Sequence, residues 1–413
     1  MRILGLLLLL LTSVGFSSVF TWQDAVRSAQ AHNLELKSAR ETLIQSHYQI
    51  DATVGGLLPQ LNVSMGASHS KSGSNTQQDG FSLGLNLTQL LYDGQKTQLG
   101  YHKAELDFLA ASANYAYTSS TKRFDLRNTF ISVYKYQKLY KLAKIIAQRR
   151  EQQYELISLR YDGGVEHKGS VMNAKASLLD AQNDITVNSL QALLAQKKLA
   201  VEMGLAGTEI PDVPADILPA TVDVNVDISS IAQHHPYYEQ YVWMCQSREL
   251  SLQAAQANQG LSIYANAGLG LNDSQFFPQN NNWSIGLSAS YPLWDWGQRQ
   301  AQTNIAASQL TQTDFTEDNA LRTVEINLET AQVNYRAAVN MLVVQKGYLT
   351  AAEERSKIAE AQYSTGQLTY DNWMIIENDY ISNQRNVVNA LANVLTSEAA
   401  WIEAKGGTLE NEK

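Results

Sequence analysis

Few side chains in this sequence stand where they could do covalent, metal or phosphate chemistry. Gly164-Val165-Glu166-His167-Lys168-Gly169-Ser170 has the outline of a phosphate-cradling loop, in which backbone N–H groups and a lysine hold a nucleotide's phosphates. Lys168 precedes the second glycine, however, and the segment follows a helical pattern where such a loop follows a strand. His234 and His235 could ligate a metal, but adjacent residues followed by Pro236 cannot share one helix face, and no His-Glu-x-x-His pattern occurs. Cys245 is the single cysteine, which excludes a disulfide framework and any cysteine-based zinc or iron–sulfur site, and no neighbouring base marks it as a nucleophile. We therefore expect no enzyme, cofactor or metal centre. The chemistry to look for is that of surfaces: what the chain presents to lipid, to water and to other chains.

The elements behind those surfaces follow from composition and pattern. The chain has 413 residues, 44% hydrophobic and 17% charged, enough apolar material for one large or two medium domains. Thirty-one basic against forty acidic side chains give a net charge of -9, and no Lys/Arg run forms a face for a phosphate backbone, so nucleic acid is excluded as a partner. Seven prolines leave room for long uninterrupted helices. Met1-Arg2, the apolar run Ile3–Leu11 and the small residues up to Ser17 read as a signal peptide over 1–17, cleaved after Ser17, with no cysteine next to it to carry a lipid anchor. Beyond it no stretch approaches the roughly 18 apolar residues of a transmembrane helix, so any passage through a membrane must use strands.

The sequence repeats itself at a constant offset of 202 residues: His32 recurs as His234, Gly84 as Gly286, Asp93 as Asp295, Tyr161 as Tyr363, Gly164 as Gly366 and Gly204 as Gly406. Each half reads helix, strand, strand, very long helix, helix. The helices are expected at Trp22–Thr53, Asp93–Arg160 and Val165–Gly204, then at Ile228–Asn258, Asp295–Tyr363 and Leu368–Lys405. Each long helix is on the order of 100 Å, a length no globular core needs, and the two shorter helices of each half stacked end to end would match it. Leu178, Ala181 and Ile185, then Leu190, Leu193 and Leu194, mark seams of helix packing. The expected units are a first repeat over 18–205, a proline-containing linker over 206–227, a second repeat over 228–407 and a tail over 408–413.

Four segments alternate with period two: Leu61–Ser70, Phe81–Tyr92, Ser262–Leu271 and Trp283–Tyr291. One face carries Leu, Ile, Val, Met and Phe, and the other carries Gly, Ser, Asn and Thr. A face of such small side chains cannot fill a barrel, which suits a water-filled lumen with lipid outside. Phe81, Tyr92, Trp283, Tyr291 and Trp294 cluster at the strand ends as a membrane girdle would, and the polar tips Lys71–Gly80 and Asn272–Asn282 would face the exterior. Four strands cannot close a barrel, and an open edge in lipid leaves backbone groups unpaired, so the chain must oligomerise, and a conducting tube favours three copies or more. An exported coiled-coil scaffold or adhesin without a pore would explain the helices and the leader but gives no reason for the strands. A barrel enzyme would want a catalytic cluster on the strands, where His69 is the only histidine.

With these elements in place, particular junctions take on meaning: Leu58-Pro59-Gln60-Leu61 before a strand; Leu91-Tyr92-Asp93-Gly94 and Tyr291-Pro292-Leu293-Trp294-Asp295-Trp296-Gly297 between strand and helix; Tyr161-Asp162-Gly163-Gly164 and Tyr363-Ser364-Thr365-Gly366 at helix reversals. In this duplicated order they resemble the TolC-like outer-membrane efflux factor family over essentially the whole mature chain. The resemblance implies a mainly α fold with a membrane β-barrel: a homotrimer with a twelve-stranded barrel in outer-membrane lipid and a long α-helical periplasmic tunnel. It implies a passive exit duct of a tripartite efflux pump or type I secretion system, fed by a periplasmic adaptor protein and an inner-membrane transporter. It assigns adaptor contacts to the reversals, at Tyr161, Gly164 and Val165 and at Tyr363, Gly366 and Gln367, and a periplasmic gate of acidic rings to Asp371 and Glu377. The chain departs from the family at Asn372 and Ile375, where members with paired rings carry aspartate, and at Leu368, where some members carry a tip-locking arginine.

Overall fold

The computed structural model describes residues 20–72, 76–205, 207, 212–214, 217, 219, 223, 226–258 and 260–412; the leader expected at 1–17 and most of the expected linker lie outside them. The order of elements is α1 (Trp22–His32), α2 (Leu34–Gly55), β1 (Gln60–Ser72), β2 (Thr76–Tyr92), α3 (Lys96–Asp162), α4 (Lys168–Glu202), α5 (Ile228–Gln233), α6 (Pro236–Ala257), β3 (Ser262–Asp273), β4 (Asn280–Ser290), α7 (Gln298–Ser364) and α8 (Tyr370–Ala404). A short 3-10 turn, Leu409–Asn411, follows. The helices α2, α3 and α4 have 22, 67 and 35 residues, and α6, α7 and α8 repeat these lengths, each starting and ending 202 positions later.

Where the elements differ from expectation, the reason is local. The first expected helix breaks at Asn33, whose side chain accepts the Leu36 N–H at 2.9 Å and donates to the Glu202 carbonyl at 2.7 Å, capping α2 while tying it to the end of α4. The expected helix from Ile228 breaks in the same place, because Pro236 cannot continue a helix and instead opens α6, capped by the His235 side chain. Asp93 and Asp295 are not the first helical residues. Each stands before its long helix and accepts backbone N–H groups, of Thr97 at 2.9 Å and Arg299 at 3.1 Å, past left-handed residues Gln95 and Gly297. The strand β4 stops at Ser290 rather than Tyr291, ahead of Pro292 with its missing N–H. The first hairpin tip is shorter than Lys71–Gly80, since pairing runs to Ser72 and Thr76.

The helices form rods around α3, which packs on α2, α4, α6 and α8, while α7 packs on α6 and α8. The seams are lined with alanine, including Ala104, Ala110, Ala143 and Ala147 of α3 and Ala320, Ala338 and Ala352 of α7, so backbones approach closely. Within the chain the α4 seam runs through Ala174, Ala181, Ala195 and Leu199; Leu190, Leu193 and Leu194 point away from it and are exposed. Larger side chains gather at mid-rod, where Leu126, Phe130, Ile131 and Tyr134 of α3 meet Val26, Leu36, Leu199 and Leu395.

The expected tail is part of this core. Leu409 is fully buried, its carbonyl takes the Gln30 side chain at 2.7 Å, and Glu412 accepts Trp22 Nε1 at 3.0 Å and pairs with Arg123. Leu409→Ala is expected to cost about 2–3 kcal/mol through the cavity it leaves, read as a lower unfolding temperature of the purified protein.

Candidate functional site

The four strands form one antiparallel sheet in the order β1-β2-β3-β4, so among the described residues β1 and β4 each leave an outer edge without a partner. The register aligns like with like. Val63, Leu85, Leu269 and Trp283 sit opposite one another across all four strands, as do Leu61, Leu87, Ala267 and Ile285. Between these rows lie Ser64, Gly84, Gly270 and Asn282, and Asn62, Asn86, Gly268 and Ser284, on the other face. A Cβ at Gly84 would meet the Ser64 hydroxyl at 2.7 Å, and one at Gly270 the Asn282 side chain at 2.3 Å, so glycines make room for polar neighbours there. Ser82 carries a Gly-x-Ser-x-Gly spacing, but it lies within β2 opposite Gly66, not at the strand-to-helix turn that exposes a nucleophile.

The residues expected to form a girdle divide between the two ends of the sheet. Phe81 is half-buried against Phe276 (ring centroids 5.5 Å apart), and Trp283 lies on the same end. Tyr92, Tyr291 and Trp294 are exposed at the helix end, where Trp294 packs edge-on against Trp296 at 5.7 Å. The stretch from Phe81 to Tyr92 is long enough for the roughly 9–11 residues that a tilted membrane strand needs. No helix among the described residues is long and apolar enough to cross a membrane.

At the other end of the rods, the chain reverses through Gly164 (φ 74°) and Gly366 (φ 79°), closed by Val165 N–H to the Arg160 carbonyl at 2.9 Å and Gln367 N–H to the Gln362 carbonyl at 2.8 Å. Neither glycine has an atom within 4 Å of an added Cβ, so the left-handed backbone alone calls for them. Tyr161, Val165, Gly164, Gly366 and Gln367 are exposed. Tyr363 is not: at 2% exposure it stacks on Trp373 (4.4 Å, 13°) and donates to Glu166 Oε2 at 2.9 Å, with the Arg160 guanidinium 4.6 Å above its ring. Burial works to raise the Glu166 carboxyl, but bonds from Ser170, Tyr363 and the His167 N–H prevail and hold it below its ordinary value. Burial and Glu166 together push the Tyr363 hydroxyl well up. Tyr363 thus ties the two hairpins together from inside the tip.

The two gate candidates part company. Asp371 is exposed in the first turn of α8. Glu377 is fully buried between the helices, gripped by Arg149 Nε at 2.7 Å and Nη2 at 2.9 Å, by Ser356 at 2.5 Å and by Gln153 at 2.8 Å. A carboxylate so engaged is a structural anion between α3, α7 and α8, with none of its oxygens on a surface. Arg149 and its neighbour Arg150, which donates to Asn378 and Gln153 (2.5 and 2.8 Å), carry no signal in sequence because their partners on α7 and α8 lie more than two hundred positions away.

The residues set aside for chemistry stay structural. His167 caps α4 through Ser170 N–H at 3.2 Å, His235 caps α6, and the Cys245 thiol donates to Asp314 at 2.9 Å, with burial and that carboxylate pushing it up to about 12. Among the described residues no three His, Cys, Asp or Glu side chains converge on a metal site.

Comparison with known proteins agrees with this geometry. The chain is 22% identical over 408 residues to the outer membrane efflux protein BepC of Brucella suis biovar 1 (strain 1330), covering 94% of this chain and 85% of that protein. Among solved structures, CusC superposes with a TM-score of 0.84 at 16% identity, over 93% of this chain and 91% of that one. The outer membrane protein VceC of Vibrio cholerae gives 0.81 at 19% identity (93% and 96%), and the Campylobacter jejuni CmeC outer membrane channel 0.82 at 17% (94% and 86%). The family model for outer membrane efflux proteins matches residues 25–205 and 228–407, so the chain belongs to the outer membrane efflux protein family.

Proposed function

We propose that three copies of this chain close a twelve-stranded barrel in the outer membrane and a helical tunnel beneath it, the passive exit duct of a tripartite efflux pump. The observation that carries this reading is the four-stranded sheet with two free edges, apolar on one face and small and polar on the other. Lipid satisfies the first face and a water-filled lumen the second, but only a closed ring satisfies the edges. Exposed apolar side chains on the rods supply seams for neighbouring copies: Leu179, Val187, Leu190 and Leu194 on α4, and Ile326, Val333 and Val344 on α7. The tips, with Val165 66% exposed, form the surface for a periplasmic adaptor that connects the duct to an inner-membrane transporter. The native mass of the mature protein in detergent tests the assembly: about three protomers is expected, and a monomer or a two-chain coiled coil overturns the reading.

Two substitutions test the faces. Ile285→Lys puts a charge on the apolar face and is expected to cost about 2–4 kcal/mol, seen as loss of assembled protein from the membrane. Gly286→Lys, next in sequence on the opposite face with open space around its added Cβ, is expected to assemble normally and to change single-channel current. Equal tolerance at the two positions sinks the assignment of faces.

Asp371 is our candidate for a carboxylate ring at the tunnel end. Asp371→Asn is expected to weaken block by divalent cations about threefold or more. Unchanged conductance and block remove Asp371 from that role.

A further inference from the structure

The wall holds a cavity that an exit duct does not need. It has a volume of about 360 Å³, lies where α8 ends against α6 between α3 and α7, and is lined by Tyr117, His235, Tyr237, Asn327, Asn334 and Glu403 among others. Three aromatic rings meet there: the Tyr117 ring centroid is 5.0 Å from that of Tyr237 and 6.3 Å from that of His235. The one anionic lining group is Glu403, and the charge acting on it is a second carboxylate, Asp125 of α3. The cation nearest in sequence, Lys405, is turned away, 5.3 Å over the Trp401 ring. Burial, reinforced by Asp125 and only partly offset by the Thr121 hydroxyl, pushes the Glu403 carboxyl up to about 7, so near neutral pH it holds its proton loosely and a cation seated beside it would favour the carboxylate.

The donor set says which counter-charge fits. A tight divalent-metal site draws on several converging carboxylates or imidazoles, and no three His, Cys, Asp or Glu side chains converge among the described residues. His235 is not free to ligate, since its Nδ1 takes the Tyr237 N–H at 3.2 Å and the ring also bonds the Glu403 carbonyl. One carboxylate, three aromatic rings and two amides instead suit a cation whose surface is largely alkyl, held by ring quadrupoles and one negative charge. We propose that this cavity binds a small organic ammonium ion, with Glu403 as its counter-charge, Tyr117, Tyr237 and His235 around its alkyl groups, and Asn327 and Asn334 for a polar substituent.

This assignment does not depend on the efflux reading, and its test is separate. The assembled mature protein in detergent is titrated with choline and with its neutral isostere dimethylbutanol, and binding is followed by ligand-detected NMR. Choline is expected to bind saturably in the millimolar range and at least about tenfold more tightly than the isostere. Glu403→Gln is expected to abolish that preference, and Tyr237→Leu to weaken choline binding severalfold. Equal binding of the two compounds, no saturable choline binding up to about 50 mM, or an undiminished preference in an assembled Glu403→Gln protein overturns the proposal. The comparison on the unaltered protein decides the matter even where a variant fails to assemble.

Discussion

Gly204→Ala is expected to yield little or no assembled protein, while the same change at Gly164 is expected to be nearly silent. Both glycines have left-handed backbones, φ 72° and 74°, and each substitution therefore carries about 1 kcal/mol of backbone strain. The difference lies in what surrounds them. A Cβ at Gly204 would stand 2.2 Å from the His32 carbonyl oxygen and 2.8 Å from the Asn33 nitrogen, backbone atoms that cannot rotate aside. The joint between α4 and α2 must open, and with it goes the bond from Asn33 to the Glu202 carbonyl, for a total of about 4 kcal/mol or more. Gly406 occupies the matching joint, where the added Cβ meets a Pro236 ring atom at 2.8 Å, so Gly406→Ala should fall between the two. Unfolding temperatures and yields from membranes should rank Gly164, Gly406 and Gly204 in order of rising damage. Similar behaviour at Gly204 and Gly164 would refute the end-to-end joint.

Glu377→Ala is the second large effect. The substitution strands the Arg149 guanidinium, the Gln153 amide and the Ser356 hydroxyl around an empty space, and removes the carboxylate that most offsets burial of Arg150. Breaking a fully buried pair from one side costs about 3–5 kcal/mol, and because Arg149 is 32% exposed and still 3.5 Å from Glu360 the lower end is expected here. Replacing Arg149 and Glu377 together by methionine removes both charges and is expected to cost clearly less than Glu377→Ala alone. The same series separates a structural anion from a gate: a double variant with normal cation block leaves Glu377 no part in conduction.

Periodicity and punctuation carried the architecture. The period-two runs gave the four strands and their faces, and the repeat gave long helices whose ends fell within a few residues of those observed, because each end is marked locally by glycine, proline or a capping side chain. What stayed hidden depended on partners far along the chain. Asn33 looks like one more polar residue inside a helical pattern until Glu202 is known to stand against it. Glu377 reads as a surface acid because Arg149 precedes it by 228 positions, and Tyr363 as a tip contact because Trp373 and Glu166 bury it from either side. A tail of polar and charged residues with one leucine shows nothing of its fit against Trp22, Gln30 and Arg123. Spacing locates elements, whereas burial of a particular charge or ring is decided by contacts that spacing does not encode.

The two unpaired strand edges also govern how the protein comes into being. Rods can pack within one chain, but in the proposed trimer the sheet would have no finished state until its neighbours arrived, and each newly made molecule would wait with its edges open. If closure requires three such molecules to meet, its initial rate rises with the cube of their concentration, and halving the supply slows it about eightfold. On that route dosage of this chain would be amplified into the number of ducts, and the waiting molecule, not the finished one, would be the form most open to proteolysis.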